Sequence, residues 1–222
     1  TASIKIEDEV VPGDRVKRYL HAFNSHDGSC SFGVFFTDVR LACANQLGML
    51  TKRESSNAVA SGQGLRMKHT KSVLEFAKNL PQLIDLERQS FRKSITELRD
   101  LTGVPLTVEL TKRVLEVTFA DKLATPIKDK QTGEKRDRVL TDLPEFGQIR
   151  EHCYGGSGLG MDMDGVRGTL YGLLNGITQN QTHDGGKSKD STERNRARLE
   201  SLFGGAASKR INAAREACLA LV

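Results

Sequence analysis

The chain has 222 residues, and its 33 Lys and Arg against 28 Asp and Glu give a net charge of +5 and a pI near 9.1. That length is enough for one ordinary domain or two small ones. No apolar run approaches the ~20 residues of a membrane span, and no signal segment opens the chain, so we expect a soluble protein with no membrane partner. The mild positive charge permits a polyanionic partner without requiring one.

The first third of the sequence reads as antiparallel strands. Residues 2–6, 14–27 and 29–42 each alternate apolar and polar side chains, as half-buried strands do. Asp27 and Gly28, between the two longer segments, supply the residues that a tight turn prefers. We therefore predict a β-hairpin over 14–42. A further strand is predicted at 64–70, after a Ser/Gly-rich loop.

A different period begins at Thr70. Apolar residues then recur every three or four positions, with gaps at Glu87 and Ser94, up to the breaker residues Gly103 and Pro105. This pattern predicts one long amphipathic helix, or two helices bent at Pro81. A second helix is predicted over 106–120, with these residues available for burial: Val108, Val114, Leu115 and Phe119. Residues 121–142 are charged and turn-rich and are interpreted as an exposed, mobile loop, followed by a short helix over 143–154.

The last third is predicted to be helical, in segments over 165–183, 191–205 and 206–222. The first segment has an apolar stripe formed by Val166, Leu170, Leu173, Leu174 and Ile177. Gly168, Gly172 and Gly176 recur every four residues beside it, which indicates either a closely approaching backbone or a locally weak helix.

The predicted fold class is α+β. A small N-terminal antiparallel sheet precedes a long amphipathic helix and a mostly helical C-terminal half. We divide the chain into a core of sheet and long helix over 1–120, a charged and Gly-rich connection over 121–164, and a helical region over 165–222 that packs on the same domain.

Several stretches look chemical but lack a complete site. Ser25, His26 and Asp27 are adjacent, and neighbouring strand residues point to opposite faces, so they form no triad among themselves. Asp162 and Asp164 supply only half of a calcium loop. The glycine-rich run 155–160 lacks the Lys-Ser/Thr ending of a phosphate-binding loop. The four cysteines, at positions 30, 43, 153 and 218, have no zinc-ligand spacing and are read as reduced thiols. We expect no catalytic residue, metal or cofactor.

Basic side chains are the more informative set. The predicted nucleic-acid contacts are Lys17, Arg18, Arg40, Lys52, Arg53, Arg66, Lys68, His69 and Lys71. If the hairpin and the strand at 64–70 share one sheet, several of these cations line a groove, and phosphate binding needs such a row. The alternative is a solvated surface with interspersed acids. A second set, Arg194, Arg196 and Arg198, is better read as a solvated helix face.

Four ordered motifs carry a family resemblance. They are Tyr19-Leu20 with Ser25, His26, Asp27, Gly28 and Ser29; then Thr37 to Arg40 with Cys43 to Asn45; then Lys68-His69-Thr70 before a helix; and then the segment from Thr169 to Thr178 followed by the Phe-Gly and Lys pattern near 203–209. In this order, over about residues 14–222, they resemble the phage/plasmid-like protein family, a domain of unknown function. Gln46 departs from the Thr that the family usually has there.

The resemblance implies a protein of a phage, prophage or plasmid in the bacterial cytoplasm, and it implies no activity by itself. A curled sheet leading to a long helix is similar to the core of Rad fifty-two-like single-strand annealing proteins. On that analogy, we expect a non-enzymatic protein that binds single-stranded DNA as a ring or filament of identical subunits and promotes annealing in recombination.

Two alternatives stay open at this point. One is a structural or anti-defence protein that acts on a protein partner, and the other is an enzyme completed by a segment preceding Thr1. Thr37, Arg40 and Asn45 are kept as candidate contacts, while a wholly structural role for the motif that contains Ser25, His26, Asp27 and Gly28 is the alternative.

Overall fold

The computed structural model describes residues 6–23, 32–41, 45–49, 65–67, 72–129, 132–184, 191–202 and 205–222. Its fold is α+β, with antiparallel strands first and helices over most of the remainder, which confirms the predicted class. Within these residues, no helix is both long enough and apolar enough to cross a membrane.

The N-terminal sheet contains five strands, which are β1 Ile6–Glu9, β2 Arg15–Phe23, β3 Phe32–Arg40, β4 Asn45–Met49 and β5 Leu65–Met67. Their order is β1-β2-β3-β4, and β5 also pairs with β3, with every pairing antiparallel. The predicted hairpin is confirmed as β2 and β3, in register from Val16 opposite Arg40 to Phe23 opposite Gly33. Of the strand predicted at 2–6, only Ile6 is among the described residues, and β1 continues from it to Glu9.

One face of the hairpin is buried, and it carries charge as well as apolar side chains. Val16 and Leu20 are buried, as the alternation along the strand predicts. Arg18 stands between them on the same face, and Arg40 stands opposite Val16, so both guanidinium groups are turned into the protein interior.

The long helix is α1, Ser72–Thr102, and it runs without interruption through Pro81. Its last turns bury Phe91, Ile95, Leu98 and Leu101, at the spacing of one helix face. The two gaps in the apolar pattern, Glu87 and Ser94, are also buried. Both bind arginines, Arg18 and Arg215 respectively, so the gaps mark polar contacts within the core.

The remaining elements follow in this order: α2 Val108–Thr118, α3 Ala120–Leu123, β6 Ile127–Lys128, β7 Lys135–Arg136, a 3₁₀ turn Leu140–Asp142, α4 Pro144–Arg150, a π-helical turn Glu151–Gly155, α5 Leu170–Gln179, a second π-helical turn Asn180–Asp184, α6 Ser191–Leu202 and α7 Ala206–Leu219. The predicted loop 121–142 is mostly exposed, but it is not structureless. It contains the β6-β7 pair and the 3₁₀ turn, where Leu140 is buried.

Helix α5 lies at the centre of the molecule, because all ten of its residues are buried. The whole predicted apolar stripe, from Val166 to Ile177, has no exposed surface. One hydrophobic cluster joins this helix to the sheet, α1, α2, α4 and α7, and so draws on all three predicted segments of the chain. Val108 is a correction, since 78% of its surface is exposed although it was expected to be available for burial.

The three glycines near α5 have separate roles. A Cβ at Gly176 would lie 2.6 Å from the sulfur of Cys153, so a side chain and not a backbone makes the closest approach there. Gly172 packs against the Val166 carbonyl oxygen, 2.3 Å from an ideal Cβ. Gly168 precedes the helix and has φ of +72°, a conformation that glycine adopts without strain.

Candidate nucleic-acid interface

Arg18 is the first predicted contact that the structure corrects. Its guanidinium donates to both carboxylate oxygens of Asp38, at 2.7 and 2.8 Å, and to a carboxylate oxygen of Glu87 at 2.9 Å. It also lies 5.1 Å from the ring centre of Phe91. With 3% of its surface exposed, Arg18 joins the hairpin to α1 and is not a surface cation that meets a phosphate.

The electrostatics of this site fit an interior ion-pair network. Burial raises the pKa of the Glu87 carboxyl, while the charge of Arg18 acts in the opposite direction. An arginine keeps its charge at any ordinary pH. The negative charges of Asp38 and Glu87 therefore compensate the positive charge of Arg18 in the protein interior.

Arg40 forms a second interior network and is the second correction. Its Nε donates to Asp14 at 2.7 Å, and its two terminal nitrogens donate to the carbonyl oxygens of Leu159 and Gly160 at 2.9 and 3.2 Å. The Tyr171 hydroxyl donates to the same Asp14 carboxylate at 2.9 Å. Arg40 and Asp14 have no exposed surface. Burial also raises the pKa of Tyr171.

This second network unites separate sequence motifs. Arg40 ends the Thr-x-Val-Arg motif, and Tyr171 is the aromatic residue of the motif near the C-terminal end, with Asn175 one helical turn further. The glycine-rich run is held at Leu159 and Gly160 by Arg40, so it serves as a docking partner for the sheet. These motif residues build the fold.

The other predicted contacts are placed as follows. Lys17 is on the more exposed face of β2, 3.4 Å from a Glu7 carboxylate oxygen. Thr37, Asn45 and Arg66 lie in β3, β4 and β5, and the strand containing Arg66 does share a sheet with the hairpin, as the groove hypothesis required. The remaining predicted residues lie outside the described part of the chain, and these are Ser25, His26, Asp27, Gly28, Lys52, Arg53, Lys68, His69 and Lys71.

The structure also brings together a groove that the sequence did not suggest. It lies between α2 and the segment that runs from the 3₁₀ turn through α4, and its volume is about 700 Å³. We call it the α2–α4 groove, and its lining consists of Val108, Thr111, Lys112, Glu116, Leu123, Arg138, Val139, Leu140, Thr141, Phe146, Arg150 and Tyr154.

Helical spacing explains how the groove walls form. On one wall, Val108, Lys112 and Glu116 recur every four residues along α2, away from its buried face. On the other, Phe146 and Arg150 are also four residues apart, with Tyr154 four further on in the π-helical turn. Each wall therefore presents a single line of side chains to the space between them.

Three cations border this groove. In the described residues, Lys112, Arg138 and Arg150 form no ion pair within 4.0 Å, whereas Arg99 and Arg136 pair with Asp8 and Asp142. Arg138 donates to the Lys122 carbonyl oxygen at 3.3 Å. Arg150 lies 5.7 Å from the ring centre of Phe146. The groove thus has positive charge available to an anionic ligand.

The apolar part of the groove is open to solvent. Val108, Val139 and Tyr154 are exposed to 78%, 51% and 38% of their surfaces. The Tyr154 hydroxyl is hydrogen-bonded to the Thr111 hydroxyl at 2.9 Å, which joins the two walls at one end. Exposed apolar side chains that adjoin one another are typical of a binding surface.

The groove was missed because its residues are distant in sequence. Lys112, Arg138 and Arg150 belong to a helix, a loop and another helix, so no local charge run marks them. A signal did exist in Val139 and Leu140, since two adjacent aliphatic residues are unusual in a stretch as charged as 121–142. Leu140 is the buried anchor of that segment, and Val139 faces the groove.

Comparison with known proteins places the chain in a family. Residues 1–203 match the model of the family described as Domain of unknown function (DUF932). The chain belongs to the DUF932 family. This confirms the family expected from the four motifs, and the DUF932 description names no activity, ligand or partner. No curated protein and no solved structure matches this DUF932 chain. The analogy with Rad fifty-two-like annealing proteins is not supported.

Proposed function

We propose that this DUF932 protein binds single-stranded nucleic acid, without chemical turnover, in a phage, prophage or plasmid context. The observation that carries the proposal is the α2–α4 groove, where Lys112, Arg138 and Arg150 surround apolar and aromatic side chains. Non-specific binding of single strands needs a cationic surface for phosphates and aromatic faces for bases. The net charge of +5 also favours a polyanionic ligand. Annealing by an oligomer is the activity that we expect to follow from such binding.

The cations of the groove replace Arg18 and Arg40 in the proposed interface. Lys17, which is paired with Glu7, and Arg66 on β5 remain part of the hypothesis, together with the predicted contacts outside the described residues.

A protein partner is the second candidate, and the exposed valines favour it. Val108 and Val139 stand at the mouth of the same groove with most or half of their surfaces exposed. An acidic peptide with apolar anchors would satisfy both the valines and the cations.

The test is fluorescence anisotropy of a labelled single-stranded oligonucleotide across a salt series, with a duplex of the same length alongside. We expect single-strand binding that weakens steeply with salt, because each phosphate contact contributes about 0.7 to the slope of log K against log salt. A triple variant, Lys112→Ala, Arg138→Ala and Arg150→Ala, is expected to reduce that slope by about 2.

The matched control removes the same amount of charge elsewhere. Lys93, Lys128 and Lys209 are exposed and lie outside the groove, so their triple replacement by Ala changes the net charge equally. We expect this control to retain most of the binding. A folded protein that binds no single strand at low salt would overturn the proposal, and binding of an acidic peptide would then favour the second candidate.

A further inference from the structure

We propose that the α2–α4 groove takes one unstacked base of a bound single strand and holds its hydrogen-bonding edge toward Glu116. This inference rests on the proposed function, and it adds a base site and a base preference to it. The occupant is thus a nucleotide unit, with an apolar ring and an adjoining phosphate.

The shape and lining of the groove fit a base. Its volume is about 700 Å³, and its lining includes the apolar side chains of Leu123, Leu140 and Phe146. A nucleobase is flat and apolar on both faces, and it packs well on aromatic and aliphatic side chains. A base held in a duplex is stacked and paired, so it cannot enter. The groove therefore selects single strands by shape.

The charges at the border fit the phosphates on either side of that base. Lys112 stands on the α2 wall and Arg150 on the α4 wall, with Arg138 on the connecting segment. Cations on both walls can contact the backbone where the strand enters and where it leaves. Because phosphate contacts carry no sequence information, they orient the strand without selecting a base.

Among the described residues, Glu116 is the only carboxylate in the lining, and its position requires an explanation. A carboxylate repels phosphates, so it weakens a site that binds only the backbone. It accepts hydrogen bonds from N–H groups, however, and the amino group of cytosine is such a donor. Thymine presents a carbonyl oxygen at the same position, which a carboxylate repels, and offers only its neighbouring N3–H as a donor. Glu116 therefore predicts that the groove prefers cytosine to thymine.

The experiment compares three oligomers of equal length: oligo-dC, oligo-dT and a sugar-phosphate oligomer without bases. We expect oligo-dC to bind most tightly and the abasic oligomer to bind at least about tenfold more weakly than oligo-dT, because stacking of a base is lost. Tyr154→Leu is expected to weaken both base-containing oligomers and to leave the abasic one unchanged. Tyr154→Phe is the matched control, because it keeps the ring and removes only the hydroxyl that binds Thr111.

Glu116→Gln tests the base preference independently of folding, since the side chain is exposed and retains its size. An amide both donates and accepts, so we expect the difference between oligo-dC and oligo-dT to disappear. Equal binding of oligo-dT and the abasic oligomer would overturn the base site. A preference for oligo-dC that survives in Glu116→Gln would overturn the role of Glu116. Failure of all three oligomers to bind would instead overturn the proposed function.

Discussion

Asp14→Asn is the substitution that tests the interior ion-pair network most directly. Asp14 accepts hydrogen bonds from Arg40 and Tyr171 and has no exposed surface. An amide of nearly the same size removes the negative charge that Arg40 contacts in the interior. Removing one partner of a buried pair costs about 3–5 kcal/mol, which is a large share of the 5–15 kcal/mol that stabilises a typical protein.

The assay is urea and thermal unfolding followed by far-UV circular dichroism. At this chain length, a loss of about 3–5 kcal/mol lowers Tm by about 6–20 °C. The matched control is Asp85→Asn, because Asp85 and Arg88 form an ion pair whose side chains are 67% and 55% exposed. Exposed pairs contribute about 0–1 kcal/mol. If the two Asn variants lose similar amounts of stability, the network is not the stabilising element that its geometry indicates.

A double variant separates the loss of the ion pair from the burial of the Arg40 charge without Asp14. In Asp14→Leu with Arg40→Met, both polar groups are replaced by apolar ones, a change that is often neutral or stabilising for buried pairs. We expect this double variant to be more stable than Asp14→Asn alone. If it is equally unstable, the packing around Arg40 and not its charge is responsible.

Three further outcomes are expected. In urea unfolding, Gly176→Ala is expected to lose about 1–3 kcal/mol of unfolding free energy, because its Cβ would lie 2.6 Å from the Cys153 sulfur. Gly147→Ala is the control, because a Cβ there would have no atom within 4 Å, and it is expected to be neutral or stabilising. Burial raises the pKa of Cys153 and Cys218 to about 12, so few of these thiols are ionised at neutral pH. Peptide mapping after iodoacetamide treatment is therefore expected to show both cysteines unlabelled until urea is added, and labelling of either one in the native protein would contradict their burial. The Arg136 guanidinium lowers the pKa of Asp142 to about 2, so the stability that this ion pair contributes is present above pH 4 and is lost as the pH falls toward 2. The Tm of Asp142→Asn should therefore approach that of the parent protein between pH 4 and pH 2, and a constant difference in Tm would refute the shift.

The strands and helices were predictable wherever one side of an element is apolar. The hairpin alternates over both β2 and β3, and the α5 segment keeps a full apolar stripe, so periodicity alone was enough to assign them. The long helix was predicted in spite of Pro81, although the pattern did not decide between a continuous and a bent helix. The gaps at Glu87 and Ser94 are the positions where the helix binds Arg18 and Arg215, but the sequence pattern alone does not reveal these contacts.

The candidate site was much less predictable, because the presence of a basic residue in the sequence does not tell whether its side chain is buried or exposed. Arg18 alternates with Val16 and Leu20, and Arg40 continues the alternation of Val34 and Phe36, so the strand period does place both arginines on the apolar face. Their partners Asp38 and Asp14, brought near by the fold, show why two charges are tolerated there. Likewise, Val108 and Phe119 belong to one apolar set in the sequence, yet Val108 lines the groove and is exposed, whereas Phe119 is buried.

The contact between Tyr171 and Asp14 has a consequence for the order in which the protein matures. It joins residues 157 positions apart, and Arg40 reaches equally far forward, to Leu159 and Gly160. A ribosome releases the strands long before it has synthesised α5, so the charges of the hairpin remain hydrated until the later segment emerges. Loop closure over such a distance is slow. The nascent sheet is therefore incomplete for much of translation. A fragment that ends before α5 contains Asp14 and Arg40 but lacks the Tyr171 hydroxyl that contacts Asp14 in the folded protein.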